Sequence, residues 1–345
     1  MARRKPIIGL DIGSSAVKLC VLTSNKSHYA LQSFGMMALP PEAIVDGALM
    51  NTHVVSDAIR ELASTHHVKT KNVAFSVSGH SVIIKKISLP SMSESELEEQ
   101  IRWEAEQYIP FDINDVNLDV HILKPAATPQ SSMEVLLVAV KKEVIHEYMQ
   151  VLNDAGLHPL VCDVDVFALE NAFEINYDVA PNETIVLVNI GATKASINVI
   201  TKGISSFTRE INVGGNTFSE ELQKKLGLNR DQAETIKMNE AKPTPEHDQL
   251  MQQVSENIAG EIQRTLDFYA ATSADNHFSK LYLAGGASHC SSLAKKIENR
   301  LGTSVELIQS FRRIEIDQAQ FDPDYIHSIS SQATVAVGLA LRAPE

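Results

Sequence analysis

Three cysteines in 345 residues, Cys20, Cys162 and Cys290, are too few and too widely spaced for a disulfide framework or a metal knuckle. They suit a reducing compartment. Cations are short as well: 30 Lys and Arg stand against 43 Asp and Glu, a formal net charge of −13. A surface that grips nucleic-acid backbone needs clustered Lys and Arg, so that function class is set aside. The one basic cluster, Arg3-Arg4-Lys5, is followed by residues 7–10 and then Asp11, too short and too soon charged for a signal peptide. No apolar run approaches the roughly 20 residues of a membrane span. Residues 135–140 are typical of the longest. The remainder is ordinary: 44% hydrophobic and 21% charged residues can bury a core. At roughly 100–200 residues per domain, two or three domains are expected, in a soluble, cytoplasmic protein.

What stands out is an internal repeat. Residues 7–23 can be laid on residues 185–201 at a constant offset of 178 without a gap. Identical pairs are Ile7/Ile185, Ile12/Ile190, Gly13/Gly191, Val21/Val199 and Thr23/Thr201, and Asp11/Asn189 and Ser15/Thr193 match in character. Each copy reads as an apolar strand, a polar glycine turn and a second strand with apolar residues at period two (Val17, Leu19, Val21), a β-hairpin pattern. Residues 73–79 and 281–286 correspond more weakly, both short apolar runs ending in small residues and glycine. Two similar α/β halves follow, roughly 1–181 and 182–345.

Each half carries an addition. Residues 82–165 read β-α-β-β-α-β, the order of a ferredoxin-like module, its first helix opened by a capping box at Ser93 and Glu96 and closed before Pro110. Residues 216–275 are polar, helix-forming and broken by Ala241-Lys-Pro-Thr-Pro245 into two helical stretches. The expected domains are 1–81 with 166–181, the module 82–165, a second core of 182–215 with 276–345, and a helical subdomain 216–275.

Asp11, Gly13, Ser14, Ser15 and Lys18 place a carboxylate at a strand end, then an unencumbered turn, two hydroxyls and an ammonium. Glycine lets backbone N–H groups close on an anion. The carboxylate would repel bare phosphate, so it makes sense beside Mg²⁺ or its waters. Asn189, Gly191, Ala192 and Thr193 would grip the same phosphates from the other side, with an amide where a carboxylate is expected. Gly214, Gly215 and Asn216, and separately Gly285 and Gly286, follow strands and precede helices, where a nucleoside can lie against bare backbone or a tight turn can form. Glu234 and Lys237 share a helix face and can hydrogen-bond a ribose or pair with each other; the spacing favours the pair. His66-His67 has no carboxylate or cysteine at ligand spacing and is read as structural.

Taken together these motifs resemble the actin/Hsp70/sugar-kinase superfamily over the whole chain. The inserted module resembles that of FtsA and its relatives. Residues 97–111, with Ile101, Arg102, Trp103, Glu104, Glu106, Tyr108, Pro110 and Phe111, read like the hallmark helix of the PilM family of type IV pilus assembly proteins. The patterns around Gly9 to Ser15 and around Ala333 to Arg342 fit the same family. The resemblance implies duplicated ribonuclease-H-like halves with an SHS2-type insertion, and ATP with Mg²⁺ between the hairpins, Asp11 holding the metal through water. It implies adenosine near Gly285, Gly286, Glu234 and Lys237, and Asp165 where relatives orient attacking water. Asp165 stands where Glu is commoner, and Asn189 cannot act as a base, so at most slow ATP hydrolysis is expected. The implied role is a scaffold at the cytoplasmic face of the inner membrane. It would bind the N-terminal tail of a PilN-like membrane protein and contact the pilus motor ATPases, touching membrane only through partners. An FtsA-like filament former and a small-molecule kinase are the alternatives. The former usually ends in an amphipathic helix, unlike residues 341–345; the latter carries an acceptor-site Asp motif not found here.

Overall fold

The computed structural model describes residues 6–25, 28–124, 131–238, 241–273, 277–290 and 292–342; the Arg3-Arg4-Lys5 cluster lies outside them. The first copy of the repeat forms β1 (Ile8–Ile12) and β2 (Ala16–Asn25), antiparallel with Ile8 opposite Val21, and continues into β3 (His28–Ala38). Two short strands, β4 (Ile44–Val45) and β5 (Ala48–Leu49), precede α1 (Thr52–Thr65), whose first turn is capped by Asn51, and β6 (Asn72–Val77). Then come β7 (Val82–Pro90), α2 (Glu94–Ala105), β8 (Val116–Lys124), β9 (Ser132–Lys141), α3 (Lys142–Asp154), β10 (His158–Val164) and α4 (Asp165–Asn176).

The second copy forms β11 (Thr184–Ile190) and β12 (Ala195–Thr201), followed by β13 (Ile204–Ile211). The helical subdomain holds α5 (Gly215–Leu226), α6 (Arg230–Lys237) and α7 (Pro245–Thr272). It therefore breaks twice, not once. Gly227, left-handed at φ 67°, ends α5, and the Asn229 capping box restarts the chain as α6. β14 (Lys280–Ala284), α8 (Leu293–Leu301), β15 (Val305–Leu307), β16 (Ile314–Glu315), α9 (Pro323–Ile329) and α10 (Thr334–Ala340) complete the chain.

Strand order exposes the duplication. One sheet runs β10-β6-β1-β2-β3-β16 and the other β15-β14-β11-β12-β13, so β10 occupies in the first half the place of β15 in the second. This moves the boundary of the insertion. β10 pairs in parallel with β6, Cys162 opposite Phe75, and α3 buries Tyr148, Val151 and Leu152 in the first-half core. What remains as a module is 82–141, a strand-helix-strand-strand unit with sheet order β7-β9-β8, in place of the four-stranded ferredoxin-like unit expected over 82–165. A strand's alternation does not say which sheet takes its hydrogen bonds, so element order alone misplaced β10.

Within the module, Ser93 and Glu96 form the capping box, and α2 buries Leu97, Ile101 and Ala105 against Met133, Val135 and Leu137. Burying such side chains stabilises by roughly 1.5–3 kcal/mol each. Tyr108, although it continues the helical spacing of Leu97, Ile101 and Ala105, falls beyond the helix end and is 37% exposed, while Ile109 takes the buried place.

The segment after β15 returns to the first half. β16 pairs with β3, and Phe311, Ile314, Ile329, Ala336 and Val337 pack with Leu22, Leu31 and Phe34 behind the first sheet. α10 crosses α4 and β1 at two glycines: a Cβ on Gly338 would stand 1.7 Å from the Ala168 carbonyl oxygen, and one on Gly9 2.1 Å from that of Ala336. Only glycine allows backbones that close.

Candidate functional site

The two hairpin turns face each other across a cavity of about 460 Å³. Their geometry repeats with the sequence: Gly13 N–H donates to the Ala16 carbonyl at 3.1 Å and Gly191 N–H to that of Lys194 at 2.9 Å. These glycine N–H groups close the turns, so the tips offered to the cavity are Ser14 with Ser15 and Ala192 with Thr193. The hydroxyls of Ser14 and Thr193 meet at 3.2 Å, joining the halves at the throat. Beneath them Lys18 Nζ donates to Asp11 at 2.7 Å, both side chains largely buried.

The far end is built from glycine backbone. Gly285 adopts φ 89°, and a Cβ there would collide with the Ile190 carbonyl oxygen at 2.3 Å and the Asn189 side chain at 2.6 Å. Gly286, Gly215, Asn216 and Asn189 line the cavity; Gly214 does not. Gly214 packs on the second hairpin instead, where Gly215 N–H donates to the Gly191 carbonyl at 2.9 Å and Asn216 N–H to that of Ala192 at 2.7 Å. On α6, Lys237 and Glu234 form the expected ion pair at 2.5 Å. The pair still lines the cavity, and Ser219 donates to Glu234 from α5.

Asp165 lines the cavity at the first residue of α4. Burial, reinforced by the negative charge of Asp11, pushes its carboxyl up to about 6, while the hydroxyls of Ser76 and Ser78 pull it down. Among the described residues no cluster of three or more His, Cys, Asp or Glu could hold a metal directly.

Several lining residues were not singled out from sequence: Ser78, Tyr148, Lys194, Glu210, Arg230 and Gln332. Lys194 sits opposite Ala16 in the repeat, so the alignment that marked Lys18 hid it. Glu210 is one polar residue of an alternating strand, and Gln332 comes from the distant segment before α10.

The arrangement fits a phosphate-bearing nucleotide. Hydroxyls and lysines converge from both hairpins on one end, and side-chain-free backbone offers a flat wall at the other. The duplicated sheets with this cavity between them define the actin-like ATPase fold. Solved structures sharing it include ethanolamine utilization protein EutJ from Carboxydothermus hydrogenoformans (17% identity, 98% of this chain and 92% of that one, TM-score 0.60). Another is MreB5 of Spiroplasma citri bound to AMPPNP (12% identity, 97% and 94%, TM-score 0.52). The model of the type IV pilus assembly protein PilM matches residues 9–344, and the chain belongs to that family. A solved PilM–PilN type IV pilus biogenesis complex is similar throughout, at 28% identity, 99% coverage of both chains and a TM-score of 0.89. No helix among the described residues is long and apolar enough to cross a membrane.

Proposed function

We infer that this chain is an ATP-binding scaffold of the type IV pilus assembly complex, holding nucleotide to fix the relation of its halves and receiving the N-terminal cytoplasmic tail of a PilN-like membrane protein. The observation that carries it is the facing of two sequence-related hairpins across one cavity, their tips 3.2 Å apart at Ser14 and Thr193. Ser14, Ser15, Lys18 and Thr193 would hold phosphates; Gly285, Gly286, Glu234 and Lys237 would receive the nucleoside. Asp11, with Asp165 near enough to feel its charge, would hold Mg²⁺ through water. A bound triphosphate supplies a hydrolysable anhydride and the negative charge that both hairpins are built to meet. Asp165 would orient water, but it has one methylene less than Glu and so a shorter reach, and Asn189 cannot act as a base, so turnover would be slow. Contact with motor ATPases, and a place at the inner membrane through partners, belong to the same reading.

The tail would dock between the first-half core and the module, where Asn117 of β8 and Lys142, Ile145, His146 and Met149 of α3 line a shallow groove. Extended tails gain affinity from main-chain hydrogen bonds and specificity from pockets. The complex of PilM with PilN supports this partner class.

Thermal unfolding with Mg·ATP tests the nucleotide. A ligand at a hundredfold excess over Kd stabilises by about 2.7 kcal/mol, and Gly13→Val should abolish the shift, because its Cβ lies 3.2 Å from the Ala16 carbonyl oxygen and points toward Asp11 and Lys18. An undiminished shift in that variant would mean the hairpin does not touch nucleotide. Replacing 82–141 by a short linker should remove tail-peptide binding and leave ATP binding; equal peptide affinity would move the partner site elsewhere.

A further inference from the structure

The cavity and the groove are joined by a chain of contacts. Lys194 follows the second hairpin turn and reaches into the first half. Its Nζ is 3.4 Å from the Asp46 carbonyl oxygen and 3.9 Å from the Asp46 carboxylate, and it is 4.0 Å from Glu210. Glu210 in turn accepts a hydrogen bond from Gly79 N–H at 2.8 Å. Gly79 stands between β6 and β7, where the module leaves the core, in a left-handed conformation at φ 95°. Beyond Asp46, the carbonyl of Gly47 accepts from Tyr148 Oη at 3.1 Å. Tyr148 belongs to α3, the helix whose Ile145, His146 and Met149 line the groove.

We propose that Lys194 is a positioning residue that senses the terminal phosphate of a bound nucleoside triphosphate and transmits it, through Asp46–Gly47 and Gly79, to α3 and the module. The proposal rests on the ATP-binding reading above. Its physical basis is the looseness of the present contacts. The Asp46 carboxylate is 66% exposed and both carboxylates stand about 4 Å from the lysine, and ion pairs that long contribute little. An ammonium on phosphate forms hydrogen bonds of about 2.7–2.9 Å that are roughly twice as strong as neutral ones. A third phosphate draws Lys194 off Asp46 and Glu210; a diphosphate leaves it there. The element released is the β4–β5 turn, a two-residue Asp46-Gly47 hairpin turn at φ 53° and 86°, the geometry that an Asp-Gly pair favours, so that the turn moves as a unit. When it moves, Tyr148 loses its acceptor and α3 shifts against the groove. Coupling of this kind is reciprocal, so a partner in the groove would alter preference for triphosphate by the same factor.

Hydrogen exchange of the full chain, saturated with Mg·AMPPNP or with Mg·ADP, reads the device without any partner. Displacement of a fluorescent ATP analogue first verifies binding. AMPPNP should change exchange severalfold relative to ADP in residues 44–50 and 142–150. Lys194→Met, saturated with each nucleotide, should show the same exchange with both. Tyr148→Phe keeps the ring stacked on Phe75; it should keep the difference at 44–50 and lose it at 142–150. A wild type that binds both nucleotides without a difference overturns the proposal, as does a Lys194→Met variant with the wild-type difference. Failure of the displacement step overturns the ATP reading itself and is seen before any exchange is measured.

Discussion

The two hairpins each present one lysine to the cavity and use it in opposite ways. Lys18 folds back on Asp11 of its own hairpin, 2.7 Å away and shielded from water. In the second hairpin the position of Asp11 is Asn189, which carries no charge, and Lys194 lies between Asp46 of the other half at 3.9 Å and Glu210 of its own half, on the neighbouring β13, at 4.0 Å. The turn hydrogen bonds at Gly13 and Gly191 are alike. Duplication thus preserved the backbone cradle while the charges diverged: one copy is balanced by a close pair within its own hairpin, and the other loosely, by Glu210 of its own half and Asp46 across the cleft.

That contrast can be broken most strongly at Lys18. Lys18→Met strands the Asp11 carboxylate, whose side chain is 12% exposed, and removing one partner of a buried pair costs about 3–5 kcal/mol. Urea unfolding at pH 7 should show a loss of about 3 kcal/mol; a loss under 1 would mean the first pair is as solvated as the second. An effect of opposite sign, no larger than this, is expected at Asp165. Its carboxyl is raised in the folded chain to about 6, above the roughly 3.9 of an unfolded Asp. Its contribution is therefore fully present below about pH 4 and lost as pH rises through 6. Asp165→Asn should remove that decline and gain up to about 3 kcal/mol over wild type at pH 8, with no gain at pH 4. Parallel stability curves for the two proteins would show that the carboxyl is not held protonated. The smallest effect belongs to Lys194→Met: the lysine is as buried as Lys18, but its carboxylates are 3.9 and 4.0 Å away and 66% and 29% exposed, so the nucleotide-free chain should lose no more than about 1 kcal/mol. A loss matching that of Lys18→Met would erase the distinction between the hairpins.

What was legible in the sequence was local or repeated. Period-two alternation and a fixed offset marked both hairpins, Ser93 and Glu96 marked the start of α2, and the glycine pairs marked the bare wall at Gly285 and Gly286. What was hidden depends on contacts made far along the chain. β10 has the pattern of a strand in either sheet, and only its pairing with β6 assigns it to the core. Gly214 looks like its neighbour Gly215 until the Ala192 carbonyl is seen to stand 2.6 Å from where its Cβ would be. Lys194 and Glu210 meet their partners Asp46 and Gly79 only where the two halves approach, which no window of sequence contains.

The return of the chain to its first sheet also sets an order of events during synthesis. β3 waits for β16 at its edge, and the small-residue face at Ala74 and Ala168 waits for Val335 and Leu339. At about 5–20 residues per second, translation leaves the first-half sheet unfinished for roughly 15–60 s. The half made first is thus completed last, and a chaperone that shields its open edge would act on this nascent chain before the second half has a partner to close upon.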